Sequence, residues 1–409
     1  MQVDAVPNWL FRLYQLLFLL LPWSVEADFG AWKLTVPAEP LIAMAGIGLA
    51  VALVRHRNLP KPNTLVWLAG SWVGWQVLAS LFSSMPVVSW KYVLVDAGQW
   101  WVFFAGLLCF PAMWPWLLRL FSWSMVGVVA YTIGHHAFFH FRADQALLSP
   151  MPFFSDHTVY SAVLVMVLCC LGLQPFNNSR FYRKGMLIPL QAGVYLIALI
   201  LAASRAAWLS LILAGCFGLA LYFRKYWRWG VSVGVLALCT GLFFQKKIQP
   251  DVSTQERLNR YACALRMAVD RPVTGFGPGT FQFQYLPYQH PEEMTRISLQ
   301  VPVQKRGPDN YGRGGGAHSE YLQALAETGW PGFALWVSLV FFSLWRGVRL
   351  CIKTRQTTWL LLALALLSFF LHALANNFLH DARAAALMWG CLAMLAGYEQ
   401  ESQNVKDKM

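Results

Sequence analysis

The sequence predicts an all-α polytopic membrane protein with about twelve transmembrane helices and one large, partly helical loop outside the membrane. Hydrophobic residues make up 57% of the 409 residues and charged residues only 12%. The chain therefore has too few charges to solvate a globule of this size, whereas lipid would solvate its apolar surface. A single long polar stretch, residues 246–330, interrupts otherwise closely spaced apolar runs.

The apolar runs set the number of spans, because a helix needs roughly 20 residues to cross the hydrocarbon core of a bilayer. The runs are centred on 9–23, 38–54, 64–83, 92–112, 116–138, 158–174, 186–203, 206–222, 230–245, 331–346, 358–374 and 384–398. The first run lacks a convincing small-residue cleavage site, so we expect a retained helix rather than a leader peptide.

The short loops between these runs differ in basic residues. One alternate set contains 14, namely Arg55, Arg57, Lys61, Arg119, Arg180, Arg183, Lys184, Arg224, Lys225, Arg228, Arg346, Arg349, Lys353 and Arg355. The opposite set contains five, namely Lys33, Lys91, Arg142, Arg205 and Arg383. Because basic short loops stay in the cytoplasm, we expect cytoplasmic termini and residues 246–330 on the outer side. The same bias explains the net charge of +13, so nucleic acid is not expected as a partner.

The eight cysteines show no zinc-ligand spacing, so no metal site is predicted from them. All but Cys263 lie in or beside apolar runs, which leaves the long loop without an internal disulfide.

Residues 254–269 of the polar stretch are predicted to form a helix. Ser253 and Glu256 have the spacing of a capping box. Arg257 and Arg260 lie three residues apart, so their guanidinium groups can converge, although paired arginines are also typical of a solvated face. The apolar face expected from three- and four-residue spacing consists of Leu258, Tyr261, Leu265 and Ala268.

Residues 275–279, Gly-Phe-Gly-Pro-Gly, predict a turn. They follow no hydrophobic strand and open no obvious helix, so a dinucleotide-binding loop is rejected. The polar residues 289–316 contain proline and end in three glycines, which is typical of a mobile segment or lid.

His318 lies just before or at the start of another predicted helix, which Gly329 can terminate. The positive end of the helix dipole disfavours imidazolium there, so we expect a neutral imidazole that can accept a proton from a hydroxyl. The alternative is that His318 only caps the helix.

Two other polar positions lie at the ends of apolar runs. Arg205 separates the seventh and eighth runs, where it either snorkels to the headgroups or serves a site. Residues 154–158, Phe-Ser-Asp-His-Thr, enter the sixth run, and a helix cap through Ser155 or Asp156 is favoured over a site.

Three groups of residues in this order resemble the bacterial O-antigen ligase and O-antigen polymerase superfamily, and together they cover most of residues 186–335. The groups are Ser204-Arg205; Arg257-Leu258 with Tyr261, Ala264-Leu265 and Asp270-Arg271-Pro272-Val273-Thr274-Gly275-Phe276-Gly277; and His318-Ser319-Glu320-Tyr321-Leu322 with Glu327-Thr328-Gly329. Tyr261 departs from the family, which often has Trp there. These proteins are inner-membrane enzymes with many spans and one large periplasmic loop.

The resemblance implies a glycosyltransferase. Family members move a glycan from a polyprenyl (undecaprenyl) diphosphate carrier to a hydroxyl acceptor, which is lipid A–core in ligases and another carrier-linked repeat in polymerases. It implies that Arg205 and Arg257 bind the diphosphate, with Arg260 assigned to the same group, and that His318 serves the acceptor. Glu320 could orient or replace His318.

The residue types suit that chemistry. Arginine forks match phosphate oxygens and remain charged, so they can stabilise a diphosphate leaving group. The loop has no D-x-D-like acidic pair that would hold a divalent ion. We therefore expect metal-independent transfer without a cofactor.

The expected organisation is residues 1–245 as transmembrane helices 1–9, 246–330 as the periplasmic loop with the catalytic motifs, 331–400 as helices 10–12 and 401–409 as a cytoplasmic tail. The single long loop and the lack of an appended C-terminal soluble domain favour a ligase over a polymerase and over the protein-glycosylating branch. A transporter of lipid-linked sugar or polysaccharide would predict broken helices at corresponding places in two halves, which the sequence lacks. A scaffold that binds partners through the loop stays open.

Overall fold

The computed structural model describes residues 6–28, 33–55, 62–142, 144–173, 187–222, 252–294 and 315–406. The described chain is almost entirely helical. Its helices are α1 Asn8–Leu20, α2 Ala38–Arg55, α3 Thr64–Leu81, α4 Pro86–Cys109, α5 Trp114–Phe138, α6 His157–Cys170, α7 Leu187–Leu201, α8 Arg205–Tyr222, α9 Val252–Asp270, α10 Phe281–Gln284, α11 Glu320–Thr354, α12 Thr357–His372 and α13 Ala382–Lys406. Two strands, β1 Val25–Asp28 and β2 Lys33–Val36, form a hairpin.

The described chain contains six helices that are long and apolar enough to cross a membrane: Ala38–Arg55, Thr64–Leu81, Pro86–Cys109, Pro111–Phe138, Arg205–Tyr222 and Glu320–Thr354. Shorter apolar helices lie at His157–Leu173, Leu187–Leu201, Thr357–His372 and Ala382–Tyr398. Large apolar side chains such as Val54 and Trp67 face outward, 79% and 66% exposed, where lipid would solvate them. The prediction of an all-α membrane protein is confirmed.

Eleven of the twelve predicted apolar runs coincide with helices of the described chain. The ninth run, 230–245, lies outside the described residues. Helix α1 has 13 residues, fewer than a perpendicular crossing requires. The total of twelve spans therefore stays a prediction, as do the cytoplasmic termini and the periplasmic position of the loop.

Helix α13 lies in the centre of the helical bundle. From Ala384 to Ala396 its side chains are nearly all fully buried, as expected of a helix that is apolar on every side. The side-chain amide of Asn63 donates to the carbonyl oxygen of Ala396 at 2.6 Å, and Nε of Arg346 donates to that of Leu395 at 2.6 Å. These contacts fix α13, and with it the polar segment 376–381 that precedes it.

The hairpin between α1 and α2 was not predicted. Its strands pair antiparallel, with Val25 opposite Val36 and Asp28 opposite Lys33. Strands of four residues are too short for the alternation of apolar and polar residues to be recognised reliably. The hairpin borders a large polar cavity, because Glu26 and Thr35 contribute to its wall.

Helix α9 confirms that the polar stretch contains a helix, but the predicted buried face is wrong. Leu258 and Leu265 are 54% and 50% exposed. The buried residues are Glu256, Asn259, Arg260, Cys263, Ala264, Met267 and Ala268. The predicted capping box is also wrong, because Ser253 lies inside the described helix rather than before it. Glu256 pairs instead with Arg260, one turn along the same helix, at 3.1 Å.

Candidate functional site

A cavity of about 800 Å³ lies between the ends of several helices and the loop segments around them. The hairpin and the first half of α4 form part of its wall. The rest comes from the segment before α6, the residues around α10, the residues before and in the first turns of α11, and the residues from the end of α12 to the start of α13. The wall includes Ser24, Glu26, Thr35, Lys91, Tyr92, Asp96, Gln99, Ser155, Asp156, Gly279, Gln282, Phe283, Gly315, Gly316, His318, Gln323, Glu327, Asn376, Asn377, His380, Asp381 and Arg383. Its volume is within the range of roughly 300–1,000 Å³ that is typical of ligand sites.

His318 is the predicted site residue that the structure places on this wall. Its backbone is left-handed, with φ of 53°, a conformation that non-glycine residues seldom adopt and that often marks functional sites. His318 does not cap the following helix. That role belongs to Ser319, which precedes Glu320 and whose hydroxyl accepts a hydrogen bond from the amide of Leu322 at 3.4 Å.

The imidazole of His318 is neutral at physiological pH. Burial, followed by the positive charges of Arg260 and Arg257, lowers its pKa from 6.5 to about 4, and Asp156 and Glu256 oppose the shift only in part. The predicted neutral state therefore holds, but burial and the arginines replace the helix dipole as its main cause. A neutral imidazole can accept a proton from a hydroxyl.

Arg257 lies on α9, which the structure packs against the His318 segment. The hydroxyl of Tyr261, on the same helix, lies 3.2 Å from the carbonyl oxygen of His318 and 3.0 Å from that of Leu374, and these two acceptors share its single proton. Nε of Arg257 is buried and has no hydrogen-bond partner among the described residues. Arg257 is not among the residues that line the described cavity, and its positive charge helps to lower the pKa of His318.

Arg260 is committed to contacts within the protein. Its Nε lies 3.1 Å from the carboxylate of Glu256, and its Nη1 donates to the carbonyl oxygens of Gly315 at 2.8 Å and Gly316 at 2.9 Å. The guanidinium carbon lies 5.1 Å from the ring centre of Tyr285, and the residue is only 3% exposed. Arg260 therefore fixes the backbone that leads into His318, and its predicted contact with diphosphate stays a prediction.

Glu320 faces the segment after α12 rather than the large cavity. Its Oε1 accepts hydrogen bonds from the backbone amides of Phe378 at 2.6 Å and Leu379 at 2.7 Å. In addition, its own amide donates to the carbonyl oxygen of Ala373 at 3.0 Å. The carboxylate thereby positions residues 376–380 beside His318, and this contact does not require it to exchange a proton with a substrate.

Arg205 is the first residue of α8 and is exposed. Helix α8 packs along α12, where Gly218 lies next to Leu364. The described cavity wall does not include Arg205. The structure therefore brings His318 to the cavity and Arg257 and Arg260 next to it, but it does not bring Arg205 to the wall.

The residues before α10 interlock with the first half of α11. The amides of Phe276 and Gly277 donate to the carbonyl oxygens of Ala326 and Glu327 at 3.1 and 2.9 Å. Gly275 and Gly329 both have positive φ, and a Cβ on either would collide with the backbone of the opposite segment, so only glycine fits. Helix α11 breaks at Gly329, which confirms the predicted terminus of its first half.

Glu327 anchors the turn that residues 275–279 were predicted to form. Its two carboxylate oxygens accept from the amides of Gly279 at 2.8 Å and Phe281 at 2.9 Å. Glu327 also lines the cavity. The turn is thus held by a protein carboxylate, consistent with the rejection of a nucleotide-binding loop.

The predicted cap at the start of α6 is confirmed, because Oδ1 of Asp156 accepts from the amide of Thr158 at 2.7 Å. Sequence reasoning missed that Asp156 also lines the cavity with His318. The predicted mobile segment is described only at its two ends, since residues 295–314 lie outside the described residues.

The polar segment between α12 and α13, with the first turn of α13, was also missed as part of the site. Asn376, Asn377, His380, Asp381 and Arg383 all line the cavity. Arg383 is buried and pairs with Asp381 at 2.5 Å, while its Nη1 donates to the carbonyl oxygens of Ser24 and Phe153. The signal in the sequence was a dense polar cluster, ANNFLHDAR, between two apolar runs.

The described residues contain no group of three or more His, Cys, Asp or Glu side chains that could hold a metal ion.

Residues 192–337 match the family model described as O-antigen ligase (Wzy_C). This match confirms the resemblance of the motifs to the O-antigen ligase and polymerase superfamily, and it contains Arg205, Arg257, Arg260, His318 and Glu320. No curated protein matches the chain.

Proposed function

From the match of residues 192–337 to the O-antigen ligase family, whose members are glycosyltransferase-like enzymes, we propose that this chain is an O-antigen ligase. It moves a glycan from an undecaprenyl diphosphate carrier to a hydroxyl of lipid A–core. The proposed location is the bacterial inner membrane, with the reaction on the periplasmic side.

One observation carries the proposal: a neutral imidazole, His318, lies on the wall of a large polar cavity, inside the matched region and next to arginines. A hydroxyl acceptor needs a hydrogen-bond acceptor that aligns it and takes its proton. A protonated histidine could do neither. Burial and the charges of Arg257 and Arg260 keep His318 in the form that this role requires.

In the proposed reaction the acceptor oxygen forms a bond to the anomeric carbon while the bond between that carbon and the diphosphate oxygen breaks. The proton of the hydroxyl passes to His318. The electron pair of the broken bond leaves with the diphosphate, whose negative charge Arg257 and Arg205 stabilise. Guanidinium groups can perform this function without a divalent ion, so we expect metal-independent transfer.

Arg257 is the stronger diphosphate candidate of the two arginines. Its Nε is a buried donor without a partner among the described residues, and buried donors in native proteins are nearly always satisfied by some group. A bound anion would supply that partner. Arg205 lies at the start of α8, and its part in the reaction rests on the family motif.

The function is tested by the lipopolysaccharide of a strain that lacks this chain. A ligase predicts bare core together with accumulated carrier-linked long chains, and plasmid-borne wild type restores the capped core. A core capped with single repeats would identify a polymerase instead. Unchanged lipopolysaccharide and unchanged carrier-linked glycan would contradict both.

A further inference from the structure

Four side chains that line the cavity each carry a buried polar atom that has no hydrogen-bond partner among the described residues. The atoms are Oδ1 of Asp96, Oε1 of Gln99, Nδ2 of Asn376 and Oδ1 of Asn377. Asp96, Gln99 and Asn376 are only 2–3% exposed. Buried polar atoms are almost always paired in native proteins, so a cluster of unpaired ones around a cavity points to a ligand that pairs them.

Two of these side chains are held by the protein at one end and free at the other. Oδ2 of Asp96 accepts from the amide of Gln76 at 2.9 Å, which leaves Oδ1 free. Nε2 of Gln99 donates to the carbonyl oxygen of His380 at 3.0 Å, which leaves Oε1 free. Side chains anchored in this way lose little conformational entropy when they bind a ligand.

The cluster is continuous with the segment that carries His318. A Cβ placed on Gly316, two residues before His318, would lie 3.0 Å from Oδ1 of Asn377. Glu320 fixes the backbone just after the two asparagines through the amides of Phe378 and Leu379. A group bound by the asparagines therefore lies in the cavity whose wall also carries the imidazole of His318.

The chemistry of this wall suits a sugar better than a phosphate. The unpaired atoms include both an amide donor and carbonyl or carboxylate acceptors, and neighbouring sugar hydroxyls can donate to one and accept from the other. Tyr92, Phe153 and Phe283 add aromatic surface to the cavity, on which an apolar ring face can pack. The carboxylate of Asp96 would repel a diphosphate.

We infer that Asp96, Gln99, Asn376 and Asn377 form the saccharide subsite for the acceptor, which rests on the proposed transferase function. The acceptor is assigned to this side because its hydroxyl must reach His318 on the cavity wall. The carrier diphosphate is assigned to Arg257, which is not among the residues that line the described cavity. The subsite binds the sugar hydroxyls next to the one that reacts.

The test uses full-length protein in membranes, with acceptor core lipid and carrier-linked glycan both extracted from the deletion strain. Asn376→Ala and Asn377→Ala should each raise the KM for the core lipid by about tenfold or more. Each substitution removes a side chain that hydrogen-bonds the hydroxyl groups of the acceptor sugar, and such bonds account for much of the discrimination at sites built to bind hydroxyls. The KM for the carrier-linked glycan should stay within about twofold. Gln284→Ala is the matched control, because Gln284 lies on α10 and is not on the cavity wall.

Thermal stability separates the subsite from a structural role. The buried Nδ2 of Asn376 has no partner among the described residues, so Asn376→Ala should leave thermal stability unchanged or higher if the side chain serves the ligand. A fall in melting temperature with unchanged acceptor KM would overturn the subsite, as would a rise in KM for the carrier-linked glycan alone. If wild type transfers glycan and both Ala variants keep its acceptor KM, the subsite fails and the proposed function stands. If wild type transfers nothing, both fail.

Discussion

The hydroxyl of Tyr261 lies 3.2 Å from the carbonyl oxygen of His318, to which it donates a hydrogen bond. Tyr261 belongs to α9, and the same hydroxyl also lies 3.0 Å from the carbonyl oxygen of Leu374, two residues after the end of α12. One side chain thus joins the helix of the polar stretch, the segment of the proposed base and the end of an apolar helix. The orientation of His318 therefore depends on three segments that are far apart in sequence.

Replacement of His318 by Asn should reduce transfer by roughly 10²-fold or more, the usual contribution of general-base catalysis. Asn tolerates the left-handed backbone of this position, so the variant should fold and still bind the donor. Transfer is measured in membranes with equal amounts of each protein, and donor binding is assayed separately.

Ser319→Ala is the matched control for His318→Asn. It removes the helix cap, at about 1 kcal/mol of stability, without touching the proposed base, so its transfer rate should stay near that of wild type. Near-normal transfer by His318→Asn would refute the base assignment.

The pH dependence of transfer should reflect the lowered pKa of His318. Because that pKa is about 4 rather than 6.5, the imidazole stays neutral as the pH falls through 6, and the acidic limb of kcat/KM should lie near pH 4. The lowered pKa of His318 also makes the free energy of unfolding depend on pH. The contribution of His318 to that free energy is fully present above pH 6.5 and is lost as the pH falls towards 4, because the unfolded chain binds the proton first. An acidic limb at about pH 6.5, absent in His318→Asn, would show that the imidazole is not shielded.

Lysine at Arg205 or Arg257 should lower transfer tenfold or more, on the order of 1.4 kcal/mol, because lysine keeps the charge but loses the two-pronged geometry. EDTA should have little effect on the wild type. The control is Arg142→Lys, an exposed arginine paired with Asp144 away from the cavity. Full activity of both lysine variants would contradict diphosphate binding by Arg205 and Arg257.

Glu320→Gln should keep most of the transfer activity, since a glutamine oxygen can still accept from the amides of Phe378 and Leu379. Glu320→Leu should be destabilised, because it leaves two buried amides unpaired at about 1–3 kcal/mol each. Thermal unfolding in detergent and transfer in membranes separate the two effects. A stable Gln variant without activity would instead place the carboxylate in the chemistry.

Residues 246–330 should face the periplasm. In a background without native cysteines, Glu292→Cys is expected to react with an impermeant thiol reagent in intact cells, because Glu292 is exposed on the described part of this segment. Thr357→Cys, exposed at the start of α12, should react only after the cells are opened. The reverse labelling would overturn the orientation.

The sequence by itself determined the features that depend on neighbouring residues. Long apolar runs need lipid or a protein interior whatever their partners are, so the membrane character and most helices could be predicted from composition and length. The break at Gly329, the cap at Asp156 and the turn at 275–279 also follow from local backbone chemistry. Within the candidate site, the motif around His318 was enough to predict a residue that the structure places on the cavity wall.

Only the tertiary structure decided which side chains meet. The apolar spacing of Leu258 and Leu265 predicted the buried face of α9, yet the buried face carries the Glu256–Arg260 pair. Arg260 is turned inward because its guanidinium finds a carboxylate and two carbonyl oxygens in distant segments, and such long-range partners leave no periodic signal. The same holds for Asn376 and Asn377, which are 58 and 59 residues from His318 in the chain and reach its cavity through the packing of α12, α13 and Glu320.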